Sequence, residues 1–456
     1  MRKHPGLTGY ARIAVILGVS LLSARGALAG IEYDVALDAY RVTDYPAEYP
    51  CTLKLLAEMD SLLGLAKVKR DPVTGVCTVA CRLIIGGNDD TNTYFQIGSP
   101  ERPEETLIMQ ADLYVCPYYI PGESPHKQWW YGPQRVNRLT LGDEKRPEIR
   151  AALKFDGADQ AKRLKLFTGV RPDGDGKTTI GHGGQFMAWN ALVTALHPSA
   201  EGSFGGLSLR GDGFVFVDSV LSWVKGMMLY GASLAWRNTV RIAGSTFEHG
   251  DTAVIGGKLE LERCRFRHCG TAVLDYGSLG VVMRDCTFED NRANWHLRFP
   301  GKTSPTLECI DCNIGPSQAA NVMQRQETAS TRALRDRVGT LQDAQFVSRR
   351  HLVVLAVDAD GEPVHDAEIS VRAEQPGADI DEGKRYRTNA EGRTADVAGP
   401  EALLLPDLRQ VVTGKETPPE TTRFTYTIAA AVGDRVASVE GVRVDRSWRV
   451  VTLTLK

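Results

Sequence analysis

Arg241-Ile-Ala-Gly-Ser-Thr-Phe247, Leu261-Glu-Arg-Cys-Arg-Phe266 and Val282-Met-Arg-Asp-Cys-Thr-Phe288 are three versions of one phrase. In register they read apolar, any, apolar, two residues, a small Ser or Cys, any, apolar. The phrase extends outward to Phe214, Phe216, Ser219 and Leu221 on one side, and to Leu307, Cys309, Cys312 and Ile314 on the other. Its small residue falls at Ser219, Ser245, Cys264, Cys286 and Cys312, at intervals of 26, 19, 22 and 26 residues. Two short period-2 strands joined by a one-residue change of phase, repeated at that interval, predict a solenoid. Each unit is too small to bury its own apolar face. Stacking equivalent strands about 4.8 Å apart gathers the Phe positions into one ladder and the Ser/Cys positions into another.

These phrases resemble the right-handed parallel β-helix of the pectin-lyase-like superfamily, and Asn291 and Gly270 resemble that family's tight turn. The resemblance implies an all-β fold. It leaves the activity open, because the superfamily includes lyases, hydrolases, epimerases and non-catalytic adhesins, so function has to be argued from a site.

The chain has 456 residues, 43% of them apolar, enough for two or three domains. Residues 1–29 read as a signal peptide: Arg2, Lys3 and Arg12 precede an apolar run from Ile13 to Leu22, and Ala27-Leu28-Ala29 supplies a cleavage site. That run is too short to span a bilayer, and no later segment approaches a membrane span. The expected location is therefore secreted, periplasmic or on the cell-envelope surface. Removing Arg2, Lys3, Arg12 and Arg25 takes the formal charge from −2 to −2 − 4 = −6, which argues against nucleic-acid binding. Nine cysteines are an odd number for an exported chain. Cys264, Cys286 and Cys312 share a ladder position whose parallel Cβ vectors suit buried thiols better than bridges. Cys51, Cys77, Cys81 and Cys116 are the better candidates for one or two disulfides. No structural zinc pattern is present, and neither a cofactor nor a metal is expected.

In chain order, residues 30–76 read as an N-terminal cap, with Leu53, Leu56, Met59 and Leu63 at helical spacing. A helix there would cover the open strand edges of the first coil. Residues 77–316 read as the β-helix, with room for roughly ten coils at a period of about 22. The run Ile97 to Glu104 is echoed by Leu141 to Glu148, an offset of 44 residues that two coils would explain. Between them, Trp129, Trp130 and Tyr131 stand among prolines and glycines in an inserted loop. Such rings suit stacking on sugars, or they fold back onto the barrel. Asp173 to Thr178 mimics a P-loop and a calcium loop but lacks the leading Gly of the first and the closing Glu of the second. An ordinary polar turn is expected there. Residues 317–349 read as a connector with Leu334, Val338 and Leu341 at helical spacing. Residues 350–456 read as a β-sandwich. There Asp358-Ala-Asp-Gly-Glu-Pro-Val364 and Thr388-Asn-Ala-Glu-Gly392 resemble the carboxypeptidase-regulatory-like module, an appendage without catalytic residues.

On stacked coils, a site is read down columns. Four residues after each small ladder residue the column runs Trp223, His249, His268, Asp290. Two imidazoles beside a carboxylate have the donor set for acid–base work or for a metal, and Trp223 offers a sugar platform. The simpler reading is a polar turn. The column before the ladder residue runs Asp218, Gly244, Arg263, Asp285, Asp311, in which Arg263 and Asp285 would suit a lyase-like pair; alternating signs are more simply cross-strand pairs. No HExxH, GxSxG or dense Asp cluster is present. The sequence therefore favours an exported protein that binds polysaccharide or another cell-surface component without catalysis. The alternative is a lyase, hydrolase or epimerase working along the same groove.

Overall fold

The computed structural model describes residues 30–456 apart from 87–90, 117–135, 158–163, 173–177, 181–183, 198–205, 210–212, 225, 230–238, 257–258, 276–279, 298–305, 315–323, 326–343 and 413–419. Within these the chain is mostly β, and its dominant feature is three long stacks of parallel strands visited in rotation. One turn of the path shows the rule. Leu259–Glu262 lies in sheet 1, Arg265–Arg267 in sheet 2 and Thr271–Asp275 in sheet 3, after which the chain returns to sheet 1 with Val281–Arg284. Each strand pairs in parallel with its counterpart one rung away, so Phe247 aligns with Phe266 and Phe266 with Phe288. Such an arrangement is compatible with a β-helix-like solenoid.

The inward residues of all three sheets form one continuous core. Its centre is the Phe ladder, where Phe247 and Phe266 stack at 5.0 Å and Phe266 and Phe288 at 5.1 Å between centroids. The Ser/Cys ladder has a different task. The residue just before each of these side chains turns the chain in the left-handed region, at φ 48° for Asp218, 61° for Gly244, 50° for Arg263 and 52° for Asp285. That turn breaks the strand, and the carbonyl just before it is held by a backbone amide of the preceding rung, as Ala243 O is by Asp218 N at 2.9 Å. Ser245 Oγ lies 3.0 Å from the carbonyls of both Ala243 and Phe216 and accepts from the Ser219 amide at 3.2 Å. Cys264, Cys286 and Cys312 each reach the carbonyl two residues back and one on the preceding rung. A small donor at this position thus adds a second hydrogen bond to a carbonyl that already accepts a backbone N–H, and fits the narrow column. At the other end of sheet 2, Asn291 does the same work: its Nδ2 donates to Phe266 O at 3.1 Å, and its Oδ1 accepts from Cys269 N at 2.9 Å.

Several expectations need correcting. Ile97 and Leu141 are direct partners on adjacent strands. The 44-residue echo is therefore a single rung and not two; residues 117–135, where an inserted loop was expected, lie outside the described residues. Among the described residues the span 77–316 holds eight strands of sheet 1, against the roughly ten coils expected: Thr93–Ile97, Asn137–Leu141, Gly184–Trp189, Gly213–Val217, Thr239–Ala243, Leu259–Glu262, Val281–Arg284 and Thr306–Ile310. The stack also begins earlier than Cys77, since Ala39–Val42 already pairs in parallel with Arg82–Ile85. None of the nine cysteines is in a disulfide; Cys51, Cys77, Cys81 and Cys116 are buried thiols like the rest. They occupy inward or covered positions fixed by the strands, as the ladder thiols do.

The expected helix is present as α1 (Leu53–Leu63), begun by the Thr52 hydroxyl accepting from Leu55 N and ended by Gly64 at φ 65°. It packs Leu53 and Leu56 into the main core. Around it, two sheets finish in antiparallel strands, Ile31–Asp34 in sheet 3 and Val68–Arg70 in sheet 2. At the far end, Ala344–Val357 runs through the expected boundary at 349/350. Its first part pairs in parallel with Thr306–Ile310, and its last part with Arg449–Thr454. Leu403–Val412 pairs antiparallel with it, and the four-stranded sheet of Tyr386–Arg387, Glu368–Ala373, Tyr426–Val432 and Arg435–Val442 shares a second core with it. Leu334, Val338 and Leu341 lie outside the described residues, as do 173–177; the strands flanking the latter, Val170–Pro172 and Thr178–Ile180, pair antiparallel.

Candidate functional site

Trp223, His249, His268 and Asp290 occupy the corner between sheets 2 and 3 on successive rungs, each in the left-handed region at φ 55°, 54°, 53° and 50°. Asp and His are tolerated there; Trp is an outlier. The corner sets the rings one above another. Trp223 and His249 stack at 4.1 Å between centroids with 10° between planes, and His249 and His268 at 5.1 Å with 17°. His268 and Asp290 are exposed, while Trp223 and His249 are half-buried. Burial lowers the His249 pKa; Glu248 opposes this, and the neighbouring His268 and Arg267 add to it. Because His249 covers one face of Trp223, the ladder presents ring edges, with their N–H and N atoms, more than an open aromatic platform.

Beside the ladder lies the outer face of sheet 2. Arg267 pairs with Glu248 on the rung before, and Arg265 pairs with Glu289 on the rung after, its Nη2 2.6 Å from Oε2. The alternation of sign is thus cross-rung pairing. Further back, Ser222 Oγ donates to Thr194 Oγ1 at 2.9 Å.

The other candidates are elsewhere. Arg263 and Asp285 are on the corner between sheets 1 and 2, so a whole sheet 2 strand separates them from His268 and Asp290, on the order of 15 Å of extended chain. Arg263 is exposed and pairs with Glu262 at 2.6 Å. Burial raises the Asp285 pKa, and the negative charge of Asp311 raises it further, against the opposing pull of His351 and Arg263. Asp311 goes the other way. Burial would raise it, but hydrogen bonds from the His351 ring, the His351 amide and Ser447 outweigh burial and leave it lowered. Trp129, Trp130 and Tyr131 lie outside the described residues.

Two groups escaped the sequence reading. Asp156, at the start of the same sheet 2 to sheet 3 corner on an earlier rung, accepts from Gln110 Nε2 at 2.8 Å and stands 3.7 Å from His197 Nε2. Its position directly after Ala152–Phe155 is the signal, visible once the rungs are aligned. His351 is buried, is hydrogen-bonded to Asp311 through its ring and stacks on Trp448 at 4.5 Å. Nothing local in the sequence connects those three.

Among the described residues no group of three or more His, Cys, Asp or Glu side chains is arranged to hold a metal ion, and no helix is long and apolar enough to cross a membrane. Comparison with protein-family models, with curated proteins and with solved structures gives no match for this chain, so its function has to be argued from these rows of side chains alone.

Proposed function

We propose that this chain is an exported right-handed parallel β-helix, closed by an N-terminal cap helix and a C-terminal β-sandwich of the carboxypeptidase-regulatory-like kind. On this reading it works outside the cytoplasm, secreted, periplasmic or at the cell-envelope surface, and binds polysaccharide or another surface component without turning it over. The observation that carries the reading is the ladder Trp223, His249, His268 with the row of sheet 2 beside it. Polar groups repeat there on every rung, about 4.8 Å apart, along a ridge with no convergent acid, base and electrophile. Repetition at that spacing suits a polymer lying along the stack; a single turnover centre needs groups that meet at one atom.

A glycan array probed with the chain lacking residues 1–29, followed by reducing-end and unsaturated-product assays, tests this. Retention of a glycan that is weakened about tenfold in Trp223→Asn, with no product, is the expected result. Product from any polymer ends the non-catalytic reading, and no retention by any glycan or envelope fraction ends the binding reading. One observation favours the enzymatic alternative: Asp285 and Asp311, on neighbouring rungs, have carboxyls driven in opposite directions, the pattern that separates an acid from a base. Under that alternative Asp285→Asn abolishes turnover, whereas Trp223→Asn only weakens binding.

A further inference from the structure

We infer that the polymer this ridge accepts is an uncharged polyhydroxyl glycan, an inference that rests on the binding reading above and narrows it to one chemical class. On the four rungs from Val220–Ser222 to Thr287–Glu289, the inward residues are Leu221, Phe247, Phe266 and Phe288, so the residues on either side of each point outward. The outward charges, with the corner, are Glu248, Arg265, Arg267, Glu289 and Asp290, two cations against three anions, a formal sum of 2 − 3 = −1. Both cations are already engaged. Arg267 donates through Nε to Glu248, and Arg265 donates to Glu289 Oε2 through Nε at 3.0 Å and Nη2 at 2.6 Å.

An acidic glycan would have to displace a glutamate from each arginine and then lie against a net negative row. That exchange gains no new charge pair and adds repulsion. What remains on offer is suited to hydroxyls: the half-buried Thr246 and Thr287 side chains flanking the phenylalanines, and the edges of the imidazoles of His249 and His268. These groups both donate and accept, as a sugar hydroxyl does, and they recur with the rung spacing. The formal charge of −6 without residues 1–29 points the same way, since it lends no long-range attraction to polyanions.

Affinity electrophoresis of the chain lacking residues 1–29, through gels containing dextran, mannan or hydroxyethyl cellulose on one side and polygalacturonate or alginate on the other, decides the matter. We expect retardation by a neutral polymer that changes by less than about twofold between about 50 and 500 mM NaCl. Trp223→Asn and His268→Asn should each relieve it about tenfold; Asn accepts the left-handed corner, so both variants keep the backbone turn. The double variant Glu248→Gln/Glu289→Gln, which releases both arginines, should gain retardation by polygalacturonate that salt abolishes. Salt-sensitive retardation of the unaltered chain by acidic polymers alone overturns the inference while leaving the binding reading in place. Retardation by none of the polymers, in a chain whose circular dichroism shows intact β structure, overturns both.

Discussion

Arg263 holds a left-handed backbone at φ 50° that an L side chain adopts at a cost of about 1–2 kcal/mol, while Gly244 fills the equivalent place one rung earlier without it. A Cβ at Gly244 would come within 2.0 Å of Asp218 Oδ1, the movable end of an exposed side chain, so the positive φ is the stronger reason for glycine there. Arg263→Gly should therefore stabilise the chain by about 1 kcal/mol, read as a higher urea midpoint, since its exposed pair with Glu262 contributes little. Asn291→Ala should cost about 1–3 kcal/mol in the same measurement, because it leaves the Cys269 amide buried without its Asn291 acceptor and takes a donor from the Phe266 carbonyl. The thiols make a chemical prediction. Burial lifts Cys77 to about 12 and Cys81 and Cys269 to about 11, so a thiol reagent at neutral pH should find none of them in the native chain. All nine should react once it is unfolded; fewer than nine would mean disulfides.

Among the strands, the Phe ladder shows which part of the pattern was local. Phe247, Phe266 and Phe288 were readable because a residue between two polar neighbours in a three-residue strand has one way to face, and Leu221, next to Val220, was readable by its register with them. Phe266, sandwiched at 5.0 and 5.1 Å, should lose about 3–5 kcal/mol when changed to Ala, since its neighbours are pinned by their own rungs and cannot close the gap. What escaped the reading was the length of each return through sheet 3. The 44 residues between Ile97 and Leu141 disguised one rung as two, because the number of residues between partners is not set by the strand pattern. The repeat did give the column Trp223, His249, His268 and Asp290; what it left open was which other charged residues belong beside that column. His268 and Arg263 look close in the sequence, yet they turn opposite ends of one sheet 2 strand and belong to different corners.

Across the whole molecule, the joint between the stack and the C-terminal unit is the decisive feature. Three consecutive residues of Ala344–Val357 tie the two together. Arg349 reaches Glu308 at 2.6 Å and Asp379 at 3.1 Å, Arg350 pairs with Asp407 at 3.4 Å, and His351 holds Asp311 while stacking on Trp448. Asp311 has its pKa lowered by folding. Its contribution to stability is thus fully present above the unfolded value of about 3.9, and it is lost as pH falls through the lower folded value. Unfolding midpoints measured from pH 7 down to about 2.5 should fall less steeply at the acid end in Asp311→Asn than in the unaltered chain. Equal slopes would mean that the His351 contact does not hold the carboxylate as drawn.

The sequence by itself determined the rung: two short strands, a left-handed corner, a small hydrogen-bonding residue after it and an inward Phe, all set by contacts within about eight residues of chain. It also determined α1, whose Thr52 and Gly64 ends are local chemistry. The repeat also put Trp223, His249, His268 and Asp290 in one column. Only the tertiary structure decided the contacts between columns and beyond the repeat: it closed Arg265 and Arg267 onto glutamates and brought Asp311 to His351 and Trp448. Those contacts join residues 19 to 40 or more positions apart, and their register depends on loop lengths that no short-range pattern encodes.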